Sequence, residues 1–138
     1  MKKTVIFLIL LSAGCTAPLV HYTSYDGYMN PRMTVIELER NRNTSKIKIV
    51  FQKRGSPDEN SFSVMMAFYN TAKRRNYEYF INLKEWDDTD GGRIYIIGFT
   101  NKKEVDIKWE FGEEYDYTDA AGQKRTYESV QMIEAIID

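Results

Sequence analysis

The sequence predicts an α+β domain of two layers, in which one mainly antiparallel sheet carries two helices on one face, in the order β-β-α-β-β-β-α. Three observations lead there. Short segments alternate apolar and polar residues and are separated by turn-forming clusters, as strands are. Between them stands one strong helix start, Ser56-Pro57-Asp58-Glu59, followed by apolar residues at helical spacing. Most links are short, which favours antiparallel neighbours and a single layered core. A body of about 105 residues can bury such a core without disulfide staples, hiding roughly 60–70% of its unfolded surface.

The elements follow in order. Thr34 to Leu38 is a short β-rich run. Lys46 to Phe51 alternates, with Ile47, Ile49 and Phe51 on one face and Lys46, Lys48 and Val50 on the other. The polar stretch Arg40 to Thr44 joins them as a hairpin. The helix is predicted over 57–75. Ser56 caps it, Pro57 takes the first position, and Asp58 and Glu59 suit the positive end of its dipole. Phe62, Met65, Met66, Tyr69 and Ala72 form its buried face, and Lys73-Arg74-Arg75 reads as a solvated basic end. Asn76 suits the left-handed conformation that stops a helix.

Tyr77 to Trp86 returns to strand, with Tyr79, Ile81 and Leu83 facing one way and Phe80 the other. Asp87 to Gly92 reads as a hairpin turn. Asp88-Thr89-Asp90-Gly91 resembles part of an EF-hand loop, but the first ligand position would be Trp86 and the last Ile97. No metal is expected there. Arg93 to Thr100 is apolar on both faces and reads as a central strand. After a turn at 101–103, Glu104 to Phe111 alternates, which predicts a strand with Val105, Ile107, Trp109 and Phe111 buried. Residues 112–124 are acidic and loop-like. Tyr127 to Ile137 puts Tyr127, Val130, Ile133 and Ile137 on one helical face, although so short an apolar run also suits a strand.

Composition bounds the function. The chain has 138 residues, with 19 Lys and Arg against 20 Asp and Glu. No net positive field attracts phosphates, so a nucleic-acid partner is not expected. One Cys excludes a disulfide within the monomer, and one His leaves little for a metal site or histidine catalysis. No G-x-S-x-G, P-loop, H-E-x-x-H or Cys–His pair occurs. The acids Asp87, Asp88, Asp90, Glu113 and Glu114 fall in loops where solvation explains them. The chain is therefore expected to be no enzyme and to hold no cofactor.

The first residues form an address. Lys2 and Lys3 make a positive n-region, Val5 to Leu11 a seven-residue apolar run, and Ser12-Ala13-Gly14 a small-residue site before Cys15. This is the layout of a bacterial secretory signal. With Cys at that place it resembles a lipoprotein signal, which is cut between Gly14 and Cys15 after diacylglycerol is attached to the sulfur. The usual Leu three residues before the Cys is Ser12 here, with Leu11 one place earlier. Seven apolar residues are too few to span a bilayer, which takes about 20. Several acyl chains, palmitate among them, anchor durably where one is marginal. Thr16 follows the Cys, and the absence of Asp there leans toward the outer membrane.

The chain thus divides into a signal peptide at 1–14, a lipidated tether at 15–32 and a globular domain at 33–138. Thr16 to Arg32 shows no apolar period and contains Pro18, Gly27 and Pro31. As an extended linker of about 17 residues it would reach roughly 55–60 Å at ~3.3 Å per residue. Its Tyr22, Tyr25 and Tyr28 suit packing on the domain or the bilayer interface.

From Gly27 to about Ile137 the chain resembles a family of small, functionally uncharacterised bacterial lipoproteins. Gly27-Tyr28, the strand Ile47 to Phe51 with Gly55, Asn76-Tyr77-Glu78-Tyr79-Phe80 and Tyr127-Glu128-Ser129 carry the resemblance. Lys53-Arg54-Gly55-Ser56 stands where the family has a shorter Gly-Asn turn, and Asn76 stands where it has Gly. The resemblance implies a location and a fold, with no chemistry. Two functional expectations follow. The first is a non-catalytic envelope lipoprotein whose interaction domain meets another envelope protein or the cell wall. The alternative is a membrane-tethered inhibitor or cell-wall ligand binder that works through exposed tyrosines and the acidic loop at 113–119.

Overall fold

The structure is a computed structural model that describes residues 19–25, 31–103, 106–115 and 127–137. Six strands form one antiparallel sheet in the order β1-β2-β3-β5-β4-β6. They are β1 (Leu19–Tyr25), β2 (Pro31–Arg40), β3 (Thr44–Phe51), β4 (Tyr79–Asp87), β5 (Arg93–Thr100) and β6 (Glu128–Ser129). The helices are α1 (Pro57–Arg74), α2 (Ile107–Phe111) and α3 (Val130–Ile137). The expected α+β class is what the chain adopts, with α1 and α3 on one sheet face.

That face holds the main core. Met33, Val35, Ile47, Ile49, Phe80, Tyr95, Ile97 and Phe99 rise from the sheet to meet Ala67, Phe68 and Ala72 of α1 and Ile133 of α3. Phe68 is the central knob, edge-on to Tyr95 at 5.1 Å and to Phe80 at 6.4 Å between ring centroids. The helix begins as its sequence requires: the Ser56 hydroxyl accepts from the Glu59 amide at 3.2 Å. Asn76 takes the left-handed conformation at φ 63° and ends it. Phe62, expected on the buried face, is 51% exposed, and Ile137 is also exposed.

Bulges set which side chains reach which face. Between Asn82 and Lys84 the β4–β5 register shifts by one residue. Strict alternation would keep Lys84 and Trp86 on the face of Phe80. The extra residue at Leu83 reverses the strand beyond it, so Lys84 and Trp86 oppose Ile96 and Ile94 while Glu85 and Asp87 oppose Tyr95 and Arg93. A second shift lies between Glu37 and Glu39 on β2.

Two elements depart from the sequence expectation. The strand expected over Glu104 to Phe111 is corrected where the structure describes it: Ile107–Phe111 is a helical turn, and Asp106 caps it by accepting from the Trp109 amide at 3.0 Å. Its period of four puts Ile107 and Phe111 on the sheet, in a second cluster with Ile81 and Leu83, and turns Trp109 outward. Alternation misled because an Asp placed to cap reads as a polar strand position. The other departure is Leu19–Tyr25. It lies within the stretch read as an extended tether, yet it pairs along β2, from Leu19 opposite Glu37 to Tyr25 opposite Pro31. Pairing with a preformed partner supplied the structure that its own sequence does not announce. The C-terminal segment resolves as both alternatives: two residues of strand followed by helix.

Gly98 is required by close approach. A Cβ there would lie 2.7 Å from the Phe111 ring and 3.0 Å from Leu83. Gly98→Val should therefore push α2 off the sheet and cost about 1–3 kcal/mol by overpacking, read as a lower urea midpoint with an unchanged slope.

Candidate functional site

The bulge at Leu83 builds a cleft. By sending Glu85 and Asp87 to the helix side, it lines the far end of that face with polar groups, between the first turns of α1 and the β4–β5 hairpin. The cleft has a volume of about 460 Å³. Asn60, Ser61 and Val64 of α1 form one wall, and Glu85, Asp87 and Arg93 the other. Ile49, Phe51 and Tyr95 contribute apolar and aromatic surface, and Arg54 stands over the Phe51 ring at 5.5 Å.

Its charges are tied to one another. Arg93 Nε donates to Glu85 Oε2 at 2.8 Å, and its terminal nitrogen pairs with Asp87. Asn82 Nδ2 donates to the other Glu85 oxygen at 3.2 Å. The hydrogen bond it donates to Glu85 holds the Arg93 guanidinium well above its ordinary range, so it is a permanent cation. Burial, and next the Glu85 charge, push the Tyr95 phenol up, so it stays protonated. The cleft therefore offers fixed hydrogen-bonding groups and aromatic surface. This chemistry suits recognition of a polar ligand.

On the opposite face Trp86 lies between Lys46 and Lys84, each 5.5 Å from the ring centroid. Beside it Lys48 reaches Asp88 at 3.0 Å and also pairs with Asp90. The hairpin reading of Asp87 to Gly92 holds: the Asp88 amide donates to the Gly92 carbonyl at 2.7 Å. Its three acids separate, with Asp87 on the cleft and Asp88 and Asp90 on Lys48.

The predicted modification residue Cys15 and its neighbour Gly14 lie outside the described residues, as does His21's side chain. Glu113 and Glu114 are exposed, and the loop beyond Tyr115 lies outside the described residues up to Tyr127. Among the described residues no group of three or more His, Cys, Asp or Glu is arranged to hold a metal. No helix among them is long and apolar enough to cross a membrane. Sequence reasoning missed the cleft because its lining depends on the bulge, and period-two alternation carries no sign of one extra residue. It also placed Arg75 in solvent. Instead the guanidinium donates to the Thr44 carbonyl at 2.6 Å, to Ser45 Oγ at 3.0 Å, to the Arg42 carbonyl at 3.0 Å and to the Asn41 carbonyl.

No family model, curated protein or solved structure matches the chain.

The Lys48 cluster makes a pH prediction. Hydrogen bonds from Lys48 are the largest cause holding the Asp88 and Asp90 carboxyls below their ordinary range. A carboxyl with a lowered folded pKa binds its proton more readily in the unfolded chain. Its stabilisation is full above the unfolded value near ~4 and is lost as the pH falls through the folded one. Unfolding followed against pH should show this acid-side loss, and Lys48→Met should flatten it while leaving the slope between neutral and mildly alkaline pH unchanged.

Proposed function

We propose that this is a bacterial envelope lipoprotein, held in the membrane through acylated Cys15, which presents a small non-catalytic binding domain. The leader supports the address: a positive n-region, a seven-residue apolar run and small residues directly before a Cys that is alone in the chain. An unpaired thiol is a liability in an oxidising envelope, and thioether formation removes it. Thr16 in place of Asp favours the outer membrane.

The observation that carries the binding role is the polar cleft over Tyr95. Glu85, Asp87 and Arg93 are fixed in advance by pairing with one another, as a recognition site needs to be, since little ordering is then left for the ligand to drive. A partner in the envelope, either another envelope protein or the cell wall, would meet a cleft lined with polar groups. In-cell crosslinking should trap a discrete envelope partner with the wild-type protein. Ser61→Trp, at an exposed wall position, should fill the cleft and abolish that adduct without lowering the unfolding midpoint. An adduct that survives the substitution moves the binding surface elsewhere, and repeated absence of any adduct contradicts a binding role.

A further inference from the structure

The sheet has two distinct ends, and the chain emerges from one of them. Leu19 opens β1 opposite Glu37, near the end of β2 that turns through residues 41–43 into β3. β5 finishes at the same end, since Thr44 opposes Gly98 and the Phe99 amide donates to the Asn43 carbonyl at 2.8 Å. α2 is fastened there too. Asn43 Nδ2 donates to the Glu110 carbonyl at 3.2 Å, and Phe111 lies over Gly98.

Two features of this end have no use within the fold. Trp109, on α2, is 90% exposed. Its neighbours Ile107 and Phe111 anchor the turn, so the indole contributes nothing to the core. The turns beside it carry the exposed cations Arg42, Lys102 and Lys103. Acids are present as well: Glu39 on β2 and Asp106, Glu110, Glu113 and Glu114 around α2. The charge at this end is mixed, so the indole and the chain length decide its use.

Chain length is decisive. With Leu19–Tyr25 paired in the sheet, only Thr16, Ala17 and Pro18 separate Cys15 from the folded domain. Four Cα steps span at most about 14 Å at 3.3–3.6 Å each. The reach of some 55–60 Å that the sequence allowed is gone. A lipid on Cys15 therefore holds this end of the sheet at headgroup level, where an exposed Trp is favoured.

We propose that the end formed by the 41–43 and 101–103 turns and by Trp109 is a membrane-seating surface, with Trp109 in the bilayer interface and the cleft at the opposite end facing away from the lipid. The proposal rests on the lipoprotein reading of Cys15. The two tryptophans make it testable, because Trp86 opposes Ile94 near the other end of the sheet.

The full-length protein, purified from membranes, is reconstituted in phosphatidylethanolamine–phosphatidylglycerol vesicles with brominated acyl chains. Trp86→Phe leaves Trp109 as the reporter, and Trp109→Phe leaves Trp86. Bromine should quench Trp109 severalfold more than Trp86. Equal quenching, or none, in protein that floats with the vesicles overturns the proposal and leaves the lipid anchor standing. Protein that does not float removes the anchor, and the proposal with it. A blue shift of Trp109 emission that needs added envelope protein and brings no bromine quenching assigns the indole to a protein partner and overturns membrane seating.

Discussion

The Arg75 guanidinium is the constraint on which the arrangement depends. It leaves the last turn of α1 and donates to the Asn41, Arg42 and Thr44 carbonyls and to Ser45 Oγ. Its Cζ lies 5.2 Å from the centroid of the Phe99 ring and 5.7 Å from that of Tyr77, and those rings stack at 5.3 Å. Only a planar fork of donors can satisfy several carbonyls while stacking on aromatics, so lysine would not replace it. Next to it Glu37, 4% exposed, accepts from Arg40 at 2.7 Å and from Ser45 at 3.0 Å. Burial lowers the Arg75 pKa, but a guanidinium remains charged at any physiological pH. One side chain thus joins the helix end, the β2–β3 turn and the end of β5.

That clasp divides the molecule into two working ends. At the clasped end, turns, α2 and the start of β1 converge, and the backbone carbonyls of Asn41, Arg42 and Thr44 are satisfied by Arg75 in place of water. At the far end, the bulge on β4 opens the layer between sheet and helix, and the polar cleft forms. Cleft and clasp thus share α1 as a common wall and are separated by the Phe68 cluster, a packed core that resists local deformation. The proposed anchor and the proposed recognition site fall on opposite sides of that division.

Much of this was legible in residue order. The cap Ser56-Pro57, the stop at Asn76, the alternation of Lys46 to Phe51 and the doubly apolar β5 each state a local rule that the fold obeys. What was hidden depends on neighbours distant in sequence. β1 is a strand because β2 offers an open edge, which no property of Leu19 to Tyr25 announces. α2 imitates a strand because Asp106, Lys108 and Glu110 alternate with apolar residues, although Asp106 is a cap and Trp109 faces out. The bulge at Leu83 leaves no composition signal, yet it decides that Glu85 and Asp87 line the cleft. Arg75 reads as a helix-end charge because its acceptors lie 30 or more positions earlier.

Cys15 is the pivot, since both the proposed address and the proposed orientation of the domain depend on a lipid at that sulfur. The direct measurement is mass spectrometry of the mature N-terminus recovered from membranes, with Cys15→Ser in parallel. An N-terminal Cys15 carrying diacylglycerol, and a variant left uncleaved or lost from the membrane, is the predicted result. An unmodified Cys15, or a mature chain beginning elsewhere, would contradict the account.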